Sequence, residues 1–542
     1  MKAKKWLSAA VVLTMAGSVL AGCSKGGDNA QGGTTGAKQE LNIAFSAEPP
    51  ALDNSKATAS AAFTMINAFN EGLYRLDKDG KAQPALAKAL PEISPDGKTY
   101  KITLRDGITY WDGTPVKASD FEYAWKRTLD PATKSQYAFM VAWIKGGKEY
   151  NEGKGKAEDV QVKALDDKTL QFTLEQPKAF FTELLAFPLF FPQQPDFVKK
   201  AGDKYGTDAD KVLGAGPFKL EKWDHEQQLV FVKNDKYWDA KNVKLEKVTV
   251  QIVKDTNTAL NLFETGAVDL AQINRDAIPK WKDKPEYTLK KELVTQYMMY
   301  NENVPVLKNK KIRQALTMAI DRQAYVDVVL ANGSQPSTGF VPNGTLDGNG
   351  NDFRKTAGDL EPKFDAAKAK QLLQEGLQEL GMSSFPKLKV LADDTETAKK
   401  SLEFVIAQWK QNLGIELIAE PVPHKLRLER STNRQYDIVV SLWGADYNDP
   451  MTFLDMWVTK GEFNECDWSN AQYDQLIKAA QTETDRAKRA KLLVDAEKIL
   501  MDEMPIGPMY FRNLVYLKKT KVDGLILPVY GEEWELKWTS IK

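Results

Sequence analysis

The sequence runs to 542 residues and carries 74 lysines plus arginines against 74 aspartates plus glutamates, with two histidines and two cysteines. That charge balance gives no electrostatic case for nucleic acid or for direct adhesion to a membrane. The length exceeds one usual domain, so two or three lobes are expected, and any histidine-based mechanism is confined to His225 and His424.

Lys2, Lys4 and Lys5 precede an apolar run, residues 6–20, which leads into Leu20-Ala21-Gly22-Cys23. A basic start, a short apolar run and small residues before the cut describe a bacterial export signal. A spanning helix needs about 20 apolar residues, so the run is too short to be one. Cysteine directly after Leu-Ala-Gly resembles a lipobox. The resemblance implies cleavage before Cys23 and a lipid thioether on its sulfur, with palmitate among the acyl groups; an ordinary signal peptide with a chance cysteine is the alternative. The expected division is a signal peptide at 1–22 and a lipid-anchored flexible linker at 23–40, rich in Gly, Thr and Asn.

Leu41-Asn42-Ile43-Ala44-Phe45 alternates like a first strand, which Pro49-Pro50 ends. A helical stretch, residues 63–73, leads to Glu71-Gly72-Leu73-Tyr74. Tyr100-Lys101-Ile102-Thr103-Leu104 alternates as a strand, and Asp106-Gly107 supplies the turn. Ser119 is the expected cap of the following helix, with Glu122 closing a capping box. Further strands are expected at 171–174, 229–232 and 248–253. Residues 180–192, aromatic and punctuated by proline, read as a buried strip, with a share in lining a cleft as the alternative.

Beyond about Tyr300 amphipathic helices alternate with strands, the texture of an α/β lobe. Ile312, Ala315, Leu316 and Ala319 share one helical face. Residues 365–380 and 395–413 repeat the pattern, the second stopped by Gly414 and followed by an expected strand at 415–418. A last long helix, 485–504, closes at Pro505, and a final strand is expected near 515–517. Tyr436-Asp437-Ile438-Val439-Val440 reads as a strand buried on both faces, as in a parallel sheet. It should emerge into an aromatic, acidic loop, Leu442-Trp443-Gly444-Ala445-Asp446-Tyr447-Asn448-Asp449-Pro450. A carboxylate there can hold a cationic ligand group or cap the helix suggested by 451–458, and Asp449 could cap it equally well.

Residues 104–127, containing Arg105-Asp106-Gly107 and Trp111-Asp112-Gly113-Thr114-Pro115-Val116, resemble the signature of the bacterial solute-binding family that includes peptide, dipeptide and nickel binders. Gly214-Ala215-Gly216-Pro217-Phe218 and Thr265-Gly266-Ala267-Val268-Asp269-Leu270 are similar to further landmarks of it. Trp443-Gly444-Ala445-Asp446-Tyr447-Asn448-Asp449-Pro450 resembles the ammonium-binding segment of its oligopeptide-binding lipoproteins, which serve peptide ABC importers. The resemblance covers nearly all of 41–542. It implies an α/β, bilobal periplasmic-binding-protein-like fold of type II, in the large cluster C form, with an extra inserted subdomain. Lobe I would comprise 41–70, 195–296 and 514–542, the inserted subdomain 71–194, and lobe II 297–513, with hinge crossings near Gln296 and Asn513.

The implied function is capture of oligopeptides in an interlobe cleft and delivery to the permease subunits of an ABC transporter, outside the cell membrane, by a lipid-anchored monomer without cofactor or metal. A dipeptide, signalling-peptide or other small-solute binder is the alternative within the family, and a lipid-anchored hydrolase the alternative outside it. Asp446 would take the peptide's α-ammonium, and Trp443, Gly444 and Ala445 would bond its main chain. Thr58, Ala59 and Ser60 would face it from the other lobe, and Tyr137 and Tyr297 would border the cleft. The chain departs from the enteric pattern at Gly444, where a cysteine is usual, at Val440 and Ser431, where arginines occur, and at Ala398, where a histidine occurs.

Residue patterns for catalysis are sparse. No Gly-x-Ser-x-Gly elbow or glycine-rich phosphate loop occurs. Ser384-Phe385-Pro386-Lys387 matches Ser-x-x-Lys without its companion motifs. Residues 347–358 begin like a calcium loop but place Asp352 at the required glycine and Gly358 at the required glutamate. Cys466, between Glu465 and Asp467, reads as an unreactive thiol because neighbouring carboxylates raise a thiol pKa.

Overall fold

A computed structural model describes residues 37–178 and 180–542; the export signal and Cys23 lie outside the described residues. Residues 39–542 form one compact unit. Strands β1 (Glu40–Phe45), β2 (Thr99–Thr103), β3 (Thr169–Thr173), β4 (Phe218–Asp224), β5 (Gln228–Lys233), β6 (Lys247–Ile252), β7 (Leu270–Gln272), β8 (Tyr287–Tyr300), β9 (Lys389–Asp393), β10 (Ile418–Val422), β11 (Ile438–Gly444) and β12 (Ile506–Lys518) carry the architecture. The main sheet runs β10-β9-β11-β8-β12-β7-β1-β6-β5-β4, with Gln335–Pro336 pairing onto β12. A separate four-stranded sheet orders Glu92–Ile93, β2, β3 and Val162–Ala164.

The principal helices are α1 (Ser60–Phe69), α2 (Ala118–Leu129), α3 (Lys310–Met318), α4 (Ala366–Glu379), α5 (Glu396–Leu413), α6 (His424–Thr432) and α7 (Arg486–Glu503). Their ends follow local chemistry. Asp365, Thr395 and Asp485 accept backbone N–H groups at the starts of α4, α5 and α7. Gly414 ends α5 at φ +72°, the left-handed conformation that costs glycine least. The α3 face expected from periodicity is buried against Trp409, Ile438 and Val440 in one apolar core. Gly216 is required by close packing, because a Cβ there would lie 2.6 Å from the Asn70 carbonyl oxygen. Glu71, fully buried, accepts from Arg75 Nε at 3.0 Å, Tyr237 Oη at 2.6 Å and Trp238 Nε1 at 2.6 Å. Among the described residues no helix is long and apolar enough to cross a membrane.

Three expectations are corrected. The N-cap of α2 is Lys117 rather than Ser119. Asp120, three residues on, reaches back to accept from the Lys117 amide at 3.0 Å. Glu122, one turn later, accepts from Ala164 N at 2.8 Å instead of closing a capping box. The strand expected at 415–418 begins only at Ile418, because Ile415 and Leu417 are first spent on filling the core. β11 is parallel to β9 but antiparallel to β8, and it continues through Leu442, Trp443 and Gly444, which the sequence had placed in a loop.

The two longest strands tie the sheet together. One half of β8, 287–291, pairs with 513–517 of β12, beside β7; the other half, 295–299, pairs with 506–511, beside β11. Register shifts between Lys291 and Thr295, so residues 292–294 oppose the single residue Arg512. Backbone pairing is lost there. Buried charges hold the site instead: Glu292 bonds Lys290 at 2.8 Å and Arg512 at 2.5 Å, while Glu533 bonds Lys290 at 3.0 Å. Arg512 and Lys290 together pull Glu533 down to about 2 against the opposing effect of its burial.

Candidate functional site

The bulge re-aims backbone groups toward a cavity. Leu293 N donates to Val529 O at 2.7 Å, Leu293 O accepts from Ala445 N at 2.9 Å, and Gly531 N donates to Ala445 O at 3.1 Å. These bonds fix the end of β11 against loop 528–533, the floor of a cavity of about 350 Å³, within the size range of small-molecule sites. Thr58, Ala59, Ser60, Tyr137, Tyr297, Trp443, Gly444, Ala445 and Asp446 all line it. The departures Val440 and Ala398 line it too, whereas Ser431 is buried outside the lining.

One wall is an open strand edge. β9 pairs with β11 only through Val390–Ile438 and Leu391–Val439. On the side away from β8, residues 440–444 have no partner strand among the described residues, and all five line the cavity. At about 3.3 Å per residue this edge offers roughly 16 Å of unpaired backbone. Buried N–H and C=O groups are almost always paired, so such an edge inside a cavity is a template for another extended chain.

The edge ends at Asp446. The loop is stitched by Trp443 Nε1 donating to Thr452 O at 2.8 Å and by Asp446 N donating to Thr452 Oγ1 at 3.2 Å. Pro450 is the N-cap of the helix Met451–Leu454 and has no capping side chain; Asp449 Oδ1 accepts from the first helical amide, Met451 N, at 2.9 Å, and its carboxylate also takes Arg489 at 2.7 and 2.8 Å. Asp446 is thereby released from that duty. Its Oδ1 accepts from Tyr137 Oη at 3.2 Å, while Oδ2 is buried with no hydrogen-bond partner. The side chain is 8% exposed. Around it Tyr137 stacks on Trp443 at 6.3 Å and meets Phe463 at 5.0 Å and Phe63 at 5.7 Å, edge to face. Burial in this aromatic cage, reinforced by Asp455 and Glu532, pushes the Asp446 carboxyl well above the usual range, against the pull of Tyr137.

Residues outside the sequence-based set complete the lining. Arg427 Nε meets Asp393 at 3.1 Å and Arg427 Nη1 lies 3.4 Å from Ser441 Oγ; His424 meets the same aspartate at 3.1 Å. Arg427 and His424 hold Asp393 below the ordinary range although burial acts oppositely. Glu465, accepting from Thr432 Oγ1 at 2.9 Å, is pushed by burial up to about 7. No local signal singles out these groups, because they converge from β9, α6, β11 and the loop after it. The alternative for residues 180–192 resolves to core: Phe181, Leu184, Leu189 and Phe190 are fully buried. Cys466 is also fully buried, and burial, with a smaller contribution from Glu302 rather than from its sequence neighbours Glu465 and Asp467, pushes the thiol up to about 12.

The family description "Bacterial extracellular solute-binding proteins, family 5 Middle" matches residues 81–465. The oligopeptide-binding protein OppA of Bacillus subtilis is 35% identical over 542 residues, covering 98% of each chain. A structure of Listeria monocytogenes OppA bound to peptide is 39% identical with a TM-score of 0.89, covering 93% of this chain and 99% of that one. The Escherichia coli murein tripeptide binding protein MppA gives 0.86 at 29% identity, covering 93% and 99%. The unliganded open form of MppA gives only 0.61 at 28% identity, covering 93% and 98%.

Asp455, in the turn after the helix Met451–Leu454, makes a pH prediction. Both its oxygens are buried without hydrogen bonds. Burial pushes it up to about 8, against the attraction of Lys178. The folded protein therefore keeps a proton that the unfolded chain has released above about pH 4, and ligand-free stability falls as pH rises from about 4 to 8. The slope from this group is at most about 1.4 kcal/mol per pH unit. Lys178, lowered to about 8 by burial, acts in the opposite sense only above that pH. Thermal unfolding of Asp455→Asn should show a flatter fall between about pH 5 and 8; a slope equal to wild type would refute the assignment.

Proposed function

The chain belongs to the bacterial extracellular solute-binding proteins of family 5, and we propose that its cavity captures oligopeptides for delivery to the permease of an ABC importer. The observation that carries this reading is the open edge 440–444 ending at a buried carboxylate with a free oxygen. An extended peptide adds a strand to that edge, so main-chain bonds provide affinity whatever its sequence. Trp443 and Gly444 belong to this edge, whereas Ala445, whose N–H and C=O are already bonded to Leu293 and Gly531, anchors its end beside Asp446. Thr58, Ala59 and Ser60, at the start of α1, face it from the opposite wall, and Tyr137 and Tyr297 border it. Asp446 takes the α-ammonium, which is largely cationic at neutral pH with a pKa near ~7.7–8. The arriving cation supplies the counter-charge that the fold withholds, and hydrogen bonds to charged groups contribute roughly 1.5–3 kcal/mol.

Binding without catalysis fits the rest of the lining. His424 is engaged with Asp393. His225 bonds Glu48 and Asp208 and is absent from the cavity lining. The pairing of Asp446 and ammonium is tested by calorimetry on wild type and Asp446→Ala, each with a free and an N-acetylated peptide. Removing one partner of a buried pair costs about 3–5 kcal/mol, or two to four orders of magnitude in affinity. Acetylation should weaken wild type severely and the mutant much less. Equal binding of both peptides to wild type would make Asp446 a structural loop residue.

We further infer that lobe I (41–70, 195–296, 514–542) with its inserted subdomain (71–194) closes on lobe II (297–513) around the ligand, hinging where β8 and β12 lose register. The TM-scores, high against a peptide-bound relative and low against an open form, support a closed arrangement here. Saturating peptide should lower the radius of gyration in small-angle scattering, and an unchanged profile at proven saturation would count against closure.

Cys23 is proposed to carry the lipid that holds this monomer on the extracytoplasmic face of the cell membrane. One acyl chain binds only marginally, whereas two signals give stable anchoring. Cys23→Ser should move the protein to the wash fraction; its retention on washed membranes would sink the anchor.

A further inference from the structure

Three glutamates crowd one short stretch, Glu532, Glu533 and Glu535, and all three are buried. Two are neutralised inside the fold. Glu533 meets Lys290 at 3.0 Å and Arg512 at 3.7 Å. Glu535 pairs with the Arg75 guanidinium and accepts from Asn67 Nδ2 at 2.9 Å. Glu532 differs: it is 8% exposed, lines the cavity, and makes no ion pair among the described residues. The cations that act on it from a distance, Arg75 and Lys290, are those already bound to Glu535 and Glu533. Its own backbone N–H acts on the carboxylate, but no cation meets it, and leaving a buried carboxylate without a counter-charge is costly.

Its place in the cavity is fixed by the backbone. Gly531 N donates to Ala445 O at 3.1 Å, so the next residues along the two strands of chain are Glu532 and Asp446. Ser60 Oγ, 3.4 Å from Gly531 O, ties the same loop to the start of α1. Two carboxylates without cations thus share one end of the cavity, and one of them carries a buried oxygen with no hydrogen bond. The two repel: Glu532 is among the groups that raise Asp446, and burial pushes Glu532 itself up to about 7.

We propose that Glu532 is a second cation-binding carboxylate at the ammonium end of the cavity, selecting peptides whose first residue has a basic side chain. This rests on the reading of Asp446 as the ammonium partner. One α-ammonium compensates one carboxylate, so with an uncharged first side chain Glu532 must hold a proton or remain an uncompensated buried charge. A lysine at position one brings a second cation on a flexible four-carbon stem that can turn from the α-carbon toward Glu532. Lysine at position three lies two residues along the strand and misses it.

The test is calorimetry with Ala-Ala-Ala-Ala, Lys-Ala-Ala-Ala and Ala-Ala-Lys-Ala on wild type, Glu532→Gln and Asp446→Asn. Wild type should bind the lysine-first peptide about tenfold more tightly than the other two, a difference of about 1.4 kcal/mol. In Glu532→Gln that preference should fall to about one, while Asp446→Asn should weaken all three peptides. Should Glu532→Gln fail to fold by circular dichroism, Glu532→Asp, which keeps the charge and shortens its reach, should retain a reduced preference. A preference equal to wild type in either variant, or none in wild type, overturns the role of Glu532 while leaving that of Asp446 standing. Undiminished binding in Asp446→Asn overturns the ammonium reading itself.

Discussion

A charge can be buried in a folded chain only where something compensates it, and the layout of this molecule follows that constraint closely. Glu71 is held by Arg75, Tyr237 and Trp238. Glu497 takes Arg354 together with the amides of Phe340 and Val341. Glu361 forms an ion pair with Arg322 at 2.8 Å, and Asp449 pairs with Arg489. Each of these acids joins segments distant in sequence, so each is a cross-brace. Buried Asp120 and Asp347, which have no ion pair among the described residues, are held by hydrogen bonds to Tyr110 and Lys117 N and to the amides of Asn349 and Asn351. Against that background Asp446, with one unbonded oxygen, Asp455, with two, and Glu532 are buried acids that no ion pair compensates among the described residues. Asp446 and Glu532 line the cavity, and Asp455 lies close enough to raise Asp446. On the proposed reading, compensation withheld by the fold at one place is what makes that place selective for a cation.

On the proposed closure, the same local irregularity would serve both rigidity and motion. Residues 292–294 of β8 cannot all pair with β12, and the displaced Leu293 backbone holds both Val529 and Ala445. The end of β11 and the loop bearing Glu532 are therefore fastened to the bulge itself. A bend at that bulge would carry the two carboxylates with it as a unit while the walls beyond it moved. The buried Lys290, Glu292, Arg512 and Glu533 network spans the same point. It replaces a few ladder hydrogen bonds with ion pairs that do not depend on strand register.

Legibility in the sequence divides along the line between local and non-local causes. Helix limits set by a capping side chain or a stop residue were readable at Asp365, Thr395, Gly414 and Asp485, because the physical cause sits within a turn of the boundary. Where two local candidates competed, the sequence could not choose. Asp120 displaced Glu122 at α2, and Asp449, not Asp446, accepts from the amide of Met451 at the start of the next helix. The extension of β11 to Gly444 depends on pairing with 294–296 of β8, a partner that no window around Trp443 contains. The aspartate and its strand were recognisable through family resemblance. Glu532 was not: Gly531-Glu532-Glu533-Trp534-Glu535 looks like a solvated acidic turn until Lys290, Arg512 and Arg75 are seen to neutralise its neighbours. Arg427 was missed for the same reason, since its role depends on Asp393 and Ser441.

The distribution of charge along the cavity also gives the proposed ligand a direction. Every cation that lines it is already engaged: Lys254 with Glu226 and Asp394, Arg275 with Asp276, Lys400 with Glu396, Arg427 and His424 with Asp393, and Lys290 and Arg512 with Glu292 and Glu533. A peptide carboxylate arriving at any of these must compete with an acid already in place. A peptide ammonium arriving at Asp446 displaces nothing. The free-energy difference between the two orientations of a bound peptide is therefore set mainly at its amino end, and the carboxyl end can lie wherever the chain length places it. With Val440, Ser431 and Ala398 standing where cations occur in the enteric pattern, nothing in the lining holds a free positive charge at one fixed distance from Asp446. On the proposed reading, recognition here is anchored at one end and permissive at the other.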